Sequence, residues 1–226
     1  NIKVFGLPFL FRDREHSYSV LDSDIGSDLL SGTERYWLKG LAYYDAGARS
    51  FYTREKKIHN PNDLNGLKIR VMESKTAFDM VKILGGSPTP ISYGELYTSL
   101  QQGVVDGAEN NPPSFYLSKH YEVCKFYTLD EHTILPDVLL MSTHTWNSLN
   151  KQQKEWVNNS VKLSVIEQRK LWAKSEKESL QAVKEAGVEI IIPDKKLFVE
   201  QSKNIFESYK SNSELYNFIE RIKESK

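Results

Sequence analysis

Two arginines and two asparagines stand where the chain changes direction, and their types suit recognition of a small anion. Arg70 lies in the stretch Lys68-Ile-Arg-Val71, where a period of two sends it to the face of Lys68, opposite Ile69 and Val71. Arg49 follows Gly47 at the start of another extended stretch. Asn110 and Asn111 come after Val104-Val-Asp106 and before Pro112, at a strand-to-helix junction. A guanidinium fork pairs bidentately with a carboxylate, and an amide adds directional hydrogen bonds. In open α/β sheets, ligands bind outside the carboxyl ends of the strands. Taken singly, each residue is better explained by solvation or capping. Three such groups at comparable topological positions lead us to expect a small-anion pocket.

Constellations for catalysis are missing. The sequence has no G-x-S-x-G elbow, no G-x-x-x-x-G-K-[ST] loop and no G-x-G-x-x-G. Its five histidines, at 16, 59, 120, 132 and 144, show no HExxH or HxH spacing, so no metal site is expected. The paired carboxylates Asp130-Glu131 read as a solvated polar turn. Cys124 is the only cysteine, which excludes an intrachain disulfide; beside Val123 and Phe126 it reads as a small buried hydrophobe.

Composition narrows the class further. The 226 residues carry 30 Lys plus Arg and 30 Asp plus Glu, a net charge of zero that supplies no field for nucleic acid or an anionic membrane. Hydrophobic residues make up 39% and aromatics 12%, enough for a packed core. No apolar run approaches the ~20 residues of a membrane span. The length corresponds to about one and a half domains, and the chain opens on Asn1 rather than Met, so a processed or truncated start is expected.

The elements that must position these residues alternate in type. The aromatic segment Phe5-Gly-Leu-Pro-Phe-Leu-Phe11 precedes a helical pattern through Tyr18, Val20, Leu21, Ile25, Leu29 and Leu30. Short strands are predicted over 41–44 and 50–53, either side of a turn at 45–48, and over 67–71, 104–107, 126–133, 138–142 and 188–192. Helices are predicted over 74–84, from a Ser92/Glu95 capping box to Gln102, over 112–121, and twice near the C-terminus. Asn60-Pro61 opens a further short helix, and Ser87-Pro-Thr-Pro90 reads as a stiff connector. From Lys151 to about Ala186 there is neither Pro nor Gly, and apolar residues recur at three and four. One helix of ~36 residues would be a rod of about 54 Å, long enough to span two lobes; two helices with an unmarked break is the other reading. Alternating strands and helices favour an α/β architecture.

Several motifs occur together and in order: Leu7-Pro-Phe-Leu-Phe-Arg12 with His16, Asp63-Leu-Asn-Gly-Leu-Lys-Ile-Arg-Val71, Gly85-Gly-Ser-Pro-Thr-Pro90, Gly94-Glu-Leu-Tyr97, Leu100-Gln-Gln-Gly-Val-Val-Asp-Gly107, and His120-Tyr-Glu-Val123. In these the chain resembles, over essentially its whole length, the solute-binding proteins of tripartite ATP-independent periplasmic (TRAP) transporters, dicarboxylate-receptor type. The resemblance implies an α/β fold of the type II periplasmic-binding class, with two lobes and a long helix lying across both. Lobe I would comprise 1–46 and 135–175, and lobe II 47–134 and 176–226.

By the same resemblance, Arg70 clamps the ligand carboxylate, Arg49 is a second pocket arginine, and Asn110 positions the carboxylate. Tyr93 lines the pocket, and Glu73, Ser74 and Asp137 contact the rest of the ligand. Asn111 departs from the family, many members of which pass straight from Asn to Pro, and is expected to reshape the pocket wall. The family also carries strands and helices before the Phe5 segment, so lobe I is expected to be incomplete, with exposed apolar surface. The implied protein is a periplasmic receptor, monomeric when full length and made with a signal peptide. It would deliver a small carboxylate, an organic acid or a sugar acid such as a uronate, to the membrane subunits of a TRAP transporter. No cofactor, nucleic acid or catalysis is implied. A sensor domain for a membrane signalling protein, or an enzyme on the same scaffold, are the alternatives.

Overall fold

Asp13 and Ser23 each accept a backbone N–H at a helix start, and they divide the amphipathic stretch after Arg12 in two. The computed structural model describes residues 1–225, beginning with a 3-10 turn at Ile2–Gly6. The two helices are α1 (Arg14–Leu21) and α2 (Asp24–Ser31). Strands β1 (Leu38–Tyr44) and β2 (Ala48–Thr53) follow, then β3 (Lys68–Val71), α3 (Lys75–Ile83), β4 (Ser87–Pro90), α4 (Leu96–Gln101) and β5 (Gly107–Asn110). Next come α5 (Pro112–Leu117), β6 (Phe126–Ile134), β7 (Asp137–Ser142), α6 (Thr143–Ser148) and α7 (Lys151–Glu185). The chain ends in β8 (Glu189–Ile191), α8 (Lys195–Ser202) and α9 (Ser213–Glu224).

Six strands form one sheet in the order β4-β3-β5-β2-β6-β8, and β1 pairs with β7 in a separate two-stranded sheet. Although β1 and β2 are adjacent in sequence, they do not pair; the chain crosses between sheets at 45–47 and again at 135–136. Helix α7 is continuous, opened by a capping box of Asn150 and Gln153, and packs against both β1 and α5. The single-helix reading therefore holds. Alternation along β2 feeds two cores: Phe51 enters one with Ile69, Val71 and Met80, and Tyr52 enters the other with Ala108, Phe115 and Tyr127. Around the small sheet and along α7, Trp37, Leu140, Trp156, Leu163 and Ile166 stay exposed.

Four local expectations are corrected. The strand expected at 104–107 begins instead at Gly107: Val105 plugs the core, while Asp106 bonds both backbone groups of Lys68 at the mouth of β3. Gly107 is where the backbone comes closest to Tyr52, leaving no room for a Cβ. The supposed connector Ser87–Pro90 is an edge strand, a place where prolines lacking N–H are tolerated. Ser92 bonds the Glu95 side chain rather than a backbone N–H, so α4 starts only at Leu96, after a 3-10 turn. Lys119, at φ 59°, breaks the helix expected over 112–121.

Candidate functional site

Strand β3 presents Lys68 to solvent and buries Ile69 and Val71 in the core, as alternation requires, but Arg70 is 3% exposed. Its Nε donates to the Ile91 carbonyl at 2.8 Å, which fixes the plane of the guanidinium. No acidic side chain pairs with Arg70 among the described residues. Burial lowers its pKa, partly opposed by Tyr52 and Glu109, and guanidinium remains charged regardless. The ring of Tyr93 lies 5.7 Å from the guanidinium, held by a 2.6 Å hydrogen bond between its hydroxyl and Ser118 Oγ. Behind Tyr93, edge-on at 5.8 Å, is the buried ring of His120, whose Nδ1 meets the Tyr52 hydroxyl at 2.9 Å. Burial and the Arg70 charge push His120 down to about 4, so near neutral pH it is an uncharged neighbour.

Arg49 is built differently. Phe51 pairs with Glu109 across β2 and β5, which makes Glu109 the diagonal neighbour of Arg49 on the same face. Arg49 Nε reaches Glu109 Oε2 at 2.5 Å and Nη2 reaches Oε1 at 3.0 Å, while Nη1 donates to Asn110 Oδ1 at 2.9 Å. Glu109 Oε2 also lies 3.4 Å from His132 Nε2, and His132 Nδ1 is 2.7 Å from Asp130 Oδ2. The other Asp130 oxygen accepts the Phe51 N–H at 3.1 Å. Burial would raise the Glu109 pKa, but Arg49 and His132 overcome it and hold the carboxyl at about 2. Burial would lower that of His132, but Asp130 and Glu109 carry it to about 9. Four buried charges thus alternate in sign along one chain.

Between the two arginines the wall is polar and partly unengaged. Asn110 accepts at Oδ1 from Arg49 and from the Asn111 N–H, and its Nδ2 makes no hydrogen bond among the described residues. A cavity of about 150 Å³ opens beside Arg49 and Glu109, lined also by Met72, Ser74 and Thr133. A larger groove of about 670 Å³ uses Ala48 and Ile134, the strand neighbours of Arg49 and Thr133. Of its four cations, Arg14 and Lys195 are paired with Glu176 and Glu131 and Arg12 donates to the Ser225 carbonyl, so the groove differs from the Arg70 setting in being open and only partly neutralised rather than buried. A desolvated guanidinium without a counter-ion suits a carboxylate.

The chain matches over residues 1–212 the model of the bacterial extracellular solute-binding protein family 7. It belongs to that family. Among solved structures, a TRAP periplasmic solute-binding protein of Xanthobacter autotrophicus with bound β-D-galacturonate superposes with a TM-score of 0.92 at 41% identity, covering 99% of this chain and 75% of that one. One from Chromohalobacter salexigens with bound D-glucuronate superposes at 0.96 and 34% identity, with coverage of 99% and 75%. The Salmonella typhimurium protein YiiZ is 42% identical over 225 residues, 99% of this chain and 69% of YiiZ. The α/β binding-protein fold read from the sequence is thus established. Among the described residues no helix is long and apolar enough to cross a membrane.

In this family 7 protein Arg49 and Ser74 line the cavity, Arg49 bonds Asn110, and Arg70 faces Tyr93, while Arg70, Tyr93 and Asn110 do not line that cavity. Glu73 is exposed and makes no contact with Arg70; Asp137 is exposed at the start of β7, opposite Tyr44. Asn111 does not reshape the wall by facing it: its Oδ1 caps α5 on Ser114 N–H at 2.8 Å, and its Nδ2 donates to Ala46 O at 2.9 Å. Asp130, expected in a solvated turn, is fully buried within β6, because His132 and the Phe51 N–H satisfy it there. Glu109, His120 and Thr133 carry no ligand-site signal in the sequence, and His132 stands out there only as a candidate base for the enzyme alternative, without a visible partner. The available signal was the spacing of Asp130 and His132, two apart on a strand and therefore on one face.

Proposed function

We propose that this solute-binding protein is a periplasmic receptor for a sugar acid of the uronate type, which it hands to the membrane subunits of a TRAP transporter. The observation that carries the reading is the charge count of the site. Arg49, Glu109, His132 and Asp130 cancel as two pairs, and His120 is neutral, so Arg70 is the buried group that brings unbalanced charge, the cavity's other cation, Lys3, being exposed. One positive charge matches one carboxylate, and a second carboxylate would lack a partner. Ser74 and Thr133 offer hydroxyls to a hydroxylated ligand body, and Tyr93 offers a ring face. The relatives holding galacturonate and glucuronate support the same ligand class.

In this reading the segments 1–46 and 135–175 form one lobe and 47–134 and 176–226 the other, and closure over the ligand desolvates the ion pair at Arg70. Closure shifts a pre-existing population, which the membrane partner then recognises. Isothermal titration with D-galacturonate, D-glucuronate and succinate tests the proposal. Uronates should bind more tightly than succinate, and Arg70→Ala should weaken uronate binding by about 2–5 kcal/mol. Tighter binding of succinate, or unchanged affinity in Arg70→Ala, would overturn it.

A further inference from the structure

The crossover Asp45-Ala46-Gly47 joins the two sheets, and three of its backbone groups are held from outside it. Gln168 on α7 takes both groups of Asp45: the Asp45 N–H donates to Gln168 Oε1 at 2.9 Å, and Gln168 Nε2 donates to the Asp45 carbonyl at 2.7 Å. The Asp45 carboxylate accepts the Gly47 N–H at 2.8 Å and the Tyr18 hydroxyl. Glu176, paired with Arg14, fills the space beside Gly47. The carbonyl of Ala46 is left for Asn111, whose Nδ2 donates to it at 2.9 Å.

Asn111 therefore touches three things at once. Its Oδ1 caps α5, its Nδ2 holds the crossover, and its backbone N–H donates at 2.9 Å to Asn110 Oδ1, the oxygen that also receives Arg49. We propose that Asn111 is a positioning residue that couples the ligand-facing amide of Asn110 to the crossover between the two sheets. The proposal rests on the receptor reading above and adds to it the route by which the crossover and the carboxylate subsite sense one another. A cap requires only an acceptor, and Ser or Asp serves as well as Asn. What the amide adds is a donor on its second atom, aimed at Ala46. Capping alone leaves that bond unexplained; coupling uses it.

Three variants separate the roles. Asn111→Ser and Asn111→Asp keep an acceptor for Ser114 N–H but lose the donor to Ala46, and Asn111→Ala loses both. Each would be titrated with D-galacturonate and D-glucuronate, melted, and followed without ligand by amide hydrogen exchange at Asp45 and Gly47. The Ser and Asp variants should melt close to the unaltered chain, exchange faster at 45–47, and bind uronate at least about fivefold more weakly, the lower end of ordinary coupling between sites. The Ala variant should in addition melt lower. Ser and Asp variants with unaltered affinity and exchange would reduce Asn111 to a cap and overturn the proposal. If the unaltered chain binds neither uronate, the receptor reading fails on its own, and the exchange measurement still decides: unaltered exchange at 45–47 overturns the coupling.

Discussion

Arg49 grips Glu109 with two guanidinium nitrogens, at 2.5 and 3.0 Å, from a neighbouring strand, so one of the two arginines in the wall of the site arrives already neutralised. The pair is buried and continues into His132 and Asp130, with the Phe51 ring 4.4 Å from that of His132 and tilted by 36°. A buried ion pair contributes little beyond what well-packed apolar residues would, yet breaking it strands a charge. The network thus sets the shape and charge of the wall more than it adds stability.

Glu109→Gln leaves Arg49 without its counter-ion in a dry setting. The expected cost is about 3–5 kcal/mol of folding stability, measured by urea unfolding. The same change gives the site a second unbalanced positive charge, so the ratio of succinate to uronate affinity should rise. A variant as stable as the parent would mean that water or relaxation shields Arg49.

The buried histidines give stability a maximum in pH. His132 titrates at about 9 folded against 6.5 in an ordinary setting, so its contribution is complete below pH 6.5 and is lost as pH rises through 9. His120 is held at about 4, so the unfolded chain takes its proton first and stability falls from pH 6.5 towards 4. Glu109, at about 2 against 4.5, adds a loss below pH 4.5. Unfolding midpoints in urea should peak near pH 6.5, and His132→Gln should flatten the alkaline limb. Midpoints that climb steadily from pH 6.5 to 9 would contradict the assignment.

Cys124 is fully buried, and desolvation pushes its thiol up to about 12. Because the thiolate is the reactive form, a thiol reagent should leave the native protein unlabelled at pH 8 and react at once in denaturant. Rapid labelling without denaturant would show that the core around Tyr52 and Leu100 opens locally.

What the sequence revealed follows from local physics. Helix α7 was legible because 35 residues without Pro or Gly have little else to become once Asn150 caps them. Arg70 was legible because alternation with Ile69 and Val71 needs only one strand. The partners of Arg49 were not, since Glu109 reaches it from one neighbouring strand and His132 reaches Glu109 from another, and no single segment encodes that register. Strand β5 was misplaced for a similar reason. Val104 and Val105 have the higher strand propensity, but only Gly107 can pass so close to Tyr52. Asn111 was read as a departure in the wall, and its actual partner, Ala46, lies across the crossover.

Gly47 tests the crossover from its other side. At φ +71° it occupies the left-handed region, which costs a residue with a Cβ about 1–2 kcal/mol. A Cβ there would also press on the Glu176 carboxylate and come within 2.9 Å of Trp172 Nε1. A flexible side chain could ordinarily swing aside, but Glu176 is buried and tethered by Arg14, and Trp172 lies on the same helix. Gly47→Ala should therefore cost more than the backbone strain alone, and unfolding in urea measures the excess. In a Glu176→Ala background most of the excess should vanish, leaving about 1–2 kcal/mol, because the truncated side chain vacates the space. Equal costs in both backgrounds would show that the crossover yields before the helix does, and that α7 does not clamp it.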